Sequence, residues 1–387
     1  MKVALSVEHA DPSRGGAETY MHWLAGRLAR DGHEVHVFAR SLRAVLPEGV
    51  VGHAVRPRRH IPAACVWNYC KRWEAAFDGT AFDVIHAASR TLTMDIYQPH
   101  GGTLRGSMEA NVAMLNPAAR WVRGLRWTLS VRRRSILAVE RRQFARAREI
   151  EIVAVSQMVR NDIQRFYGVP PERITVVYNG VDVDRLSPAA CADRRRAARA
   201  RHGFADDDVV ALLVAHNPRL KGLDELIAAV ARARGQGARV RLLVVGGFRP
   251  GRFARAANRL GCGRDVTFTG PIDDVRDAYA AADVYAQPTY YDPCSLTVLE
   301  ALACGLPVIT TRQNGVSELV TDGREGFILE QADVLELCHA LRELCDADRR
   351  REMGSAARAL AEQHSTERNY RDILSVYERV ADGKRRR

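Results

Sequence analysis

Residues 290–311, YYDPCSLTVLEALACGLPVITT, set two carboxylates, Asp292 and Glu300, eight positions apart around a turn of small residues. Leu296, Leu299, Leu302 and Ala303 recur at helical spacing, Gly305 is the expected stop, and Pro307 forbids continuation. Ser295 is the expected N-cap. The amides of the first turn, around Leu296 and Thr297, then present the positive end of the helix dipole, a ready site for phosphate. A carboxylate only accepts hydrogen bonds, so Asp292 and Glu300 suit hydroxyl pairs. A phosphate flanked by two hydroxylated groups describes a sugar nucleotide. The cations such a ligand needs lie in HNPRLKG, residues 216–222, where Arg219 and Lys221 follow an apolar strand and precede a helix. There they neutralise a diphosphate, each charged hydrogen bond contributing about 1.5–3 kcal/mol.

These loops need strands and helices to hold them. Val3, Ala4, Leu5 and Val7 form a short apolar run, expected of a strand covered on both faces. SRGGAE follows, then Met21, Leu24 and Leu28 at helical spacing up to Gly32. Further strands are expected at EVHVFAR, FDVIHA (82–87), EIVAVS (151–156) and ITVVYNG (174–180). The rhythm restarts with VVALLVAHN (209–217), VRLLVVGG (240–247), VTFTG (266–270), VYAQPT (284–289) and PVITT (307–311), with helices between. Alternation of this kind implies parallel sheets with helices on both faces, hence an α/β protein of two Rossmann-like halves. Ligands of such sheets sit beyond the carboxyl ends of the strands. The expected domains are 1–185 and 207–365, joined by a polar, arginine-rich linker at 186–206; the tail from Lys384 is expected to be disordered.

A chain of 387 residues with 47% hydrophobic and 27% charged residues is a globular protein rather than a fibrous or disordered one. Its net charge of +12 attracts anionic partners. Eight cysteines without a CxxC pair, among them Cys65, argue for reduced thiols and a cytosolic setting rather than a disulfide framework or zinc cluster. The apolar run before Glu8 is too short for a signal peptide, and no stretch is long enough to span a bilayer. DVD at 182–184 imitates a metal-binding triplet, but its place after VYNG reads as turn chemistry, and no metal is expected.

The quoted stretch resembles the E-x7-E signature of the retaining glycosyltransferases of family four, with Asp292 standing where the signature has its first Glu. EALACGLPV continues the family pattern, and GGAE, GHEVHVF, VSQMVRNDI, VYNGVD and RLKGLDELI follow it in order through most of the chain. The resemblance implies a GT-B fold, with the acceptor on the first domain, the nucleotide sugar in the second, and a final helix at 366–380 packing back on the first. It further implies that Glu300 holds the ribose hydroxyls, that Asp292 faces the transferred sugar, and that Arg219 and Lys221 stabilise the diphosphate with the amides near Ser295, Leu296 and Thr297. By the same resemblance Gly15 and Gly16 allow close backbone approach to the substrates, and His100, in YQPHGGT, contacts the donor sugar. Family members are thought to transfer from the front face with retention, so no separate nucleophile is expected. The donor, as substrate, is expected to be UDP-linked, with glucose a first guess, and no cofactor is expected.

Residues 118–148 carry Arg120, Arg123, Arg126, Arg132, Arg133 and Arg134 among ten arginines, against Glu140 alone. Trp121, Leu125, Leu129 and Ile136 give an apolar flank with Trp127 at its edge, the composition of a helix lying on an anionic membrane surface. The arm is also similar to the basic region of the lipopolysaccharide core glucosyltransferases, the subgroup this chain resembles most. The arginines alternatively grip a phosphorylated acceptor. The expected acceptor is an envelope glycolipid or lipopolysaccharide core, reached from the inner face of the cytoplasmic membrane. A nucleic-acid binder would share the charge, but paired acids beside an anion site repel a phosphate backbone, so no nucleic acid is expected. A GT-B epimerase, which would consume donor without an acceptor, is the nearest rival among enzymes. A phosphorylase would need a cofactor lysine site, of which there is no signature.

Overall fold

The computed structural model of the protein describes residues 1–55, 62–77, 82–115 and 117–386; the Cys65 side chain and Arg387 lie outside them. The chain divides into two compact units, one of residues 1–178 with 370–387 and one of residues 179–369.

The first unit runs β1 (Lys2–Ala10), α1 (Gly16–Arg30), β2 (Glu34–Leu42), β3 (Val50–Ala54), α2 (Pro62–Ala76), β4 (Val84–Ala87), β5 (Ile96–Tyr97), α3 (Leu104–Ala113), α4 (Pro117–Leu129), α5 (Val131–Ala145), β6 (Glu151–Ala154), α6 (Gln157–Tyr167) and β7 (Ile174–Val176). Among the described residues its sheet has the order β3-β2-β1-β4-β5-β6-β7, every pairing parallel. Val3, Leu5 and Val7 of β1 are buried against Tyr20, Met21, Leu24 and Leu28 of α1, whose spacing makes one apolar stripe.

The second unit contains α7 (Pro188–His202), β8 (Val209–Val214), α8 (Leu223–Gly235), β9 (Val240–Val245), α9 (Gly251–Arg259), β10 (Val266–Gly270), α10 (Arg276–Ala281), β11 (Val284–Gln287), α11 (Leu296–Ala303), β12 (Val308–Thr311), β13 (Gly326–Leu329), α12 (Val334–Glu343) and α13 (Ala347–Gln363). Its parallel sheet has the order β10-β9-β8-β11-β12-β13. In both sheets the order reverses beside the first strand, between β1 and β4 and between β8 and β11. That reversal opens a crevice at the carboxyl ends of the strands. The last helix, α14 (Thr366–Arg385), starts in the second unit and continues into the first, where Tyr370, Ile373, Val376, Tyr377 and Ala381 join the core of β1 and α1.

Two segments differ from expectation, and the linker resolves into the one helix it had room for. The tail is helical through Arg385, because Lys384 Nζ binds the Asp95 carboxylate at 2.6 Å and the Phe82 carbonyl at 3.2 Å. Residues 186–206 hold that one helix, α7, pinned through Arg195 and Arg199 to Asp283 and to the carbonyls that end α10. The basic arm is two helices, broken where Ser130 caps α5 by accepting from the Arg133 amide. Its one acid faces inward: Glu140 accepts from the Leu104 amide at 2.7 Å, which holds the start of α3, and from the Tyr167 hydroxyl.

Candidate functional site

In the second unit the loops after β8 and β11, on either side of the sheet reversal, lie against each other. Gly222 has φ +77°, and a Cβ there would sit 2.1 Å from the Pro288 carbonyl oxygen, so only glycine allows the approach. The Tyr290 amide and Thr289 hydroxyl donate to the Leu220 carbonyl at 2.9 and 3.0 Å, locking the two loops. Lys221 thereby reaches across, and its Nζ is ion-paired to Asp292 Oδ2. The two residues that sequence reading gives to diphosphate and sugar are each other's partners.

Asp292 is also fixed from behind. Gln287, fully buried at the end of β11, donates from Nε2 to Asp292 Oδ2 at 2.8 Å and to Ser295 Oγ at 3.1 Å. Tyr285, equally buried, places its hydroxyl 2.9 Å from Gln287 Oε1 and 2.7 Å from Thr297 Oγ1, within hydrogen-bond reach of both. The Asp292 backbone is held between Gln313 and Gly315 by two bonds of 2.8 Å. Asn314 adds its Oδ1 to the Ser295 and Val316 amides, and Asn179 donates to the Cys294 carbonyl at 2.9 Å. This polar lattice fixes the start of α11, where Ser295 caps the Val298 amide. The Leu296 and Thr297 amides, in the first turn, have no acceptor within their own helix.

Glu300 lies on the same helix, half-buried, and accepts from the Tyr279 hydroxyl at 2.7 Å. Burial pushes its carboxyl up, against the downward pull of that hydroxyl and of Arg185. Arg219 is half-buried on the Lys221 loop and has no carboxylate partner among the described residues. Lys221, Asp292, Ser295, Thr297 and Glu300 are thus linked to one helix start through shared partners. Gln287, Tyr285, Tyr279, Asn314 and Asn179 escaped sequence reading; a glutamine at the end of an apolar strand, VYAQPT, was the available signal for the first. Asp182 accepts the Arg185 amide at 2.9 Å, the turn role read for DVD.

In the first unit Gly15 precedes α1 as a cap with no side chain, and Gly16 is the first residue of that helix, so its end is uncovered. His100 follows β5, half-buried, with its ring 4.3 Å from that of Tyr20. Burial, assisted by His86, pushes its imidazole down to about 3, leaving it neutral.

On α4, Trp121 is 71% exposed and Leu129 70%, with Val122 and Leu125 on the same face and Val131 just beyond. Trp127 is half-buried between Arg123 and Arg133, whose guanidinium carbons lie 5.8 and 4.2 Å from its ring. Arg120 instead binds the Ala113 and Leu115 carbonyls, closing the carboxyl end of α3. Arg126, Arg132 and Arg134 are exposed, whereas Ile136 of the expected flank is half-buried on α5. An open groove of about 480 Å³ between these helices is lined by Met108, Val112, Trp127 and Leu137, with Arg105 and Arg120 beside them. No helix among the described residues is long and apolar enough to cross a membrane.

Comparison with known proteins places this geometry. Residues 14–185 match the family described as Glycosyltransferase Family 4, and residues 208–347 that described as Glycosyl transferases group 1. A D-inositol 3-phosphate glycosyltransferase 2 of Catenulispora acidiphila is 30% identical over 386 residues, 90% of this chain and 88% of its own length. The lipopolysaccharide glucosyltransferase WaaG of Escherichia coli is 26% identical over 95% of this chain and 94% of its own. A crystal structure of WaaG, a glycosyltransferase involved in lipopolysaccharide biosynthesis, has a TM-score of 0.81 over 98% of both chains at 24% identity. Anabaena HepE, crystallised with UDP and glucose, has a TM-score of 0.69 over 99% of both chains at 21% identity.

Proposed function

Since the chain belongs to the family-four glycosyltransferases and has the GT-B fold, we propose that it moves a hexose, glucose first, from a UDP-linked donor to an envelope glycolipid such as lipopolysaccharide core. In this reading transfer retains the anomeric configuration, needs no metal ion, and takes place at the inner face of the cytoplasmic membrane.

The departing nucleoside diphosphate gathers negative charge as the bond to the sugar breaks, and preorganised positive groups lower that barrier. Arg219, Lys221 and the Leu296 and Thr297 amides are such groups on this chain. Glu300 holds the pentose through its carboxylate oxygens, with Tyr279 fixing the side chain. Asp292 takes up sugar hydroxyls, and the Gln287 amide behind it keeps the carboxylate from turning. His100, neutral, donates or accepts one hydrogen bond at the sugar, and Gly15 and Gly16 leave room at the start of α1.

The observation that carries this reading is the Lys221–Asp292 pair, locked by Gly222 and Gln287 beside the first-turn amides of α11. The test incubates the chain with a panel of labelled nucleotide sugars and follows nucleotide release with and without acceptor. Acceptor-dependent release from a UDP-hexose is expected; no binding or turnover of any donor overturns the reading. A second acceptor class, a phosphorylated polyol, is favoured by the name of the 30% identical relative. The exposed apolar face of α4 suits a lipid-linked acceptor, which is why the glycolipid comes first. Acceptor-stimulated turnover with inositol 3-phosphate alone reverses that order.

A further inference from the structure

The sheet reversal that carries Lys221 and Asp292 in the second unit has a counterpart in the first, between β1 and β4, and an ion pair stands there too. Glu8, near the end of β1, accepts from Arg90 Nη1, just beyond β4, at 2.8 Å, so acid and cation have exchanged places. Ligands of parallel sheets bind at such a reversal. Val7 is paired with Ala39 and His9 with Ser41, so Glu8 also lies beside Arg40 of β2, whose Nη1 is 3.8 Å from its carboxylate. At that distance there is attraction but no hydrogen bond. Two guanidiniums thus share one carboxylate, and no other carboxylate reaches either of them among the described residues.

The backbone beneath Arg90 is clamped from both sides. Gln143 Nε2 on α5 donates to the Ser89 and Thr91 carbonyls at 3.1 and 3.0 Å, and the Cys70 thiol on α2 donates to the Arg90 carbonyl at 3.3 Å. A hydrogen bond between the Ser6 and Ser89 hydroxyls ties the same loop to β1. The side chains of Glu8, Arg40 and Arg90 are 36%, 46% and 42% exposed, and ion pairs so exposed contribute little to stability. A fixed backbone that presents a weak pair is ready for a stronger partner. Tyr69 adds one more donor. Phe38, on the same face of β2 as Arg40, packs against Trp73 of α2 with ring centroids 6.0 Å apart. Tyr69 lies one turn from Trp73 on the side where Cys70 meets Arg90, and that rise matches the two strand positions from Phe38 to Arg40. Tyr69 is buried, and its hydroxyl makes no hydrogen bond among the described residues. A buried hydroxyl in that condition calls for a partner that arrives with a ligand or an ordered water.

We propose that Arg40, Arg90 and the Tyr69 hydroxyl bind a phosphate group on the acceptor, with Glu8 holding the two guanidiniums in place until it arrives. The inference rests on the reading of the chain as a transferase with a second substrate. Arg219, Lys221 and the α11 amides, read as the diphosphate's partners, all belong to residues 179–369, so the second substrate needs groups of its own. One carboxylate against two guanidiniums leaves one positive charge and several free N–H donors, which phosphate oxygens accept in pairs. A neutral hydroxyl would meet the donors but not the charge. The phosphate of a lipid-linked glycan and that of a free polyol are the same to such a site.

The test compares acceptors with and without phosphate: lipopolysaccharide core in detergent micelles before and after chemical dephosphorylation, and inositol 3-phosphate beside inositol. The wild-type chain should favour the phosphorylated member of one pair at least about tenfold in kcat/KM, and that pair identifies the carrier. Arg90→Met should raise the acceptor KM about tenfold or more, keep the donor KM within about twofold, and erase the preference for phosphate. Arg40→Met, at a more exposed side chain, should do the same and keeps the test open if Arg90→Met does not fold. Glu8→Gln frees both guanidiniums, so inorganic phosphate should bind about threefold or more tighter by calorimetry with UDP saturating. A pair that only supports the fold gives no such gain. Indifference of the wild-type chain to phosphate in both pairs, a preference that survives both arginine variants, or unchanged phosphate binding in Glu8→Gln overturns the proposal. If no nucleotide sugar is turned over, the functional reading has failed, while a phosphate titration followed at the Arg90 Nε–H resonance still decides whether the site exists.

Discussion

At the residue scale the site depends on a cation and a carboxylate that neutralise each other before any ligand arrives. The side chains of Lys221 and Asp292 are 20% and 11% exposed, so removing one leaves the other poorly hydrated. Lys221→Met is expected to lower kcat about 100- to 1,000-fold. Adding Asp292→Asn should restore stability in urea titrations without restoring turnover, because the lone carboxylate is gone. Glu300 makes the opposite trade. Its carboxyl is raised above the ordinary 4.5 by burial, so its favourable contribution to stability is full below 4.5 and is lost as pH rises through the raised value. Glu300→Gln should therefore raise Tm at neutral pH, with the gain vanishing on acidification below 4.5, and should weaken UDP binding about tenfold by titration calorimetry. Asp292, Ser295 and Glu300 were legible in the sequence because a helix start has a local grammar of cap, apolar face and stop. Gln287 and Tyr285 were not, since they lie within a strand and their role exists only through its neighbours in space.

Elements show where composition misleads. The arginines of residues 193–201 look like a solvated connector, yet Arg195 and Arg199 lie one turn apart on the inner face of α7. Arg199, 4% exposed, bonds to Asp283 and to the Ala281, Ala205 and Asp208 carbonyls. Arg199→Met is expected to cost about 3 kcal/mol in denaturant unfolding, because it takes the donor from three carbonyls at once while Asp283 keeps Arg195 and the Val210 amide. In α4 the reverse holds, and Trp121, a large apolar side chain of the expected flank, is in solvent. Burial of one large apolar side chain contributes about 1.5–3 kcal/mol, so Trp121→Ser with Leu129→Ser should reduce binding to anionic vesicles at least about tenfold. Far-UV circular dichroism should not change, as neither side chain packs. Equal vesicle binding by both proteins would remove the membrane from the proposed function. The strand rhythm made the parallel sheets readable, but β3, β5 and β13 are too short or too polar to stand out, and the break at Ser130 is one residue in a helix-forming run.

The whole molecule is two sheets with the same reversal of order, and the repeat of strand and helix after residue 208 made that division readable. What no local pattern announces is that α14 completes the core of the other unit, since its apolar stripe is that of any amphipathic helix. A chain ending at Asn369 should lose the cooperative melting of the first unit, whose core includes Ile373, Val376 and Tyr377. It should retain UDP binding by calorimetry, because Arg219, Lys221, Ser295 and Glu300 all belong to residues 179–369. Loss of UDP binding in that truncation would move the nucleotide site elsewhere. The same feature governs birth on the ribosome. Residues 179–369 are all made before Tyr370, Ile373, Val376 and Tyr377, so the half made first waits, unsealed, for a helix that follows the whole of the half made second. Synthesis halted between the two would thus leave the older half, not the younger, for chaperones and proteases to find.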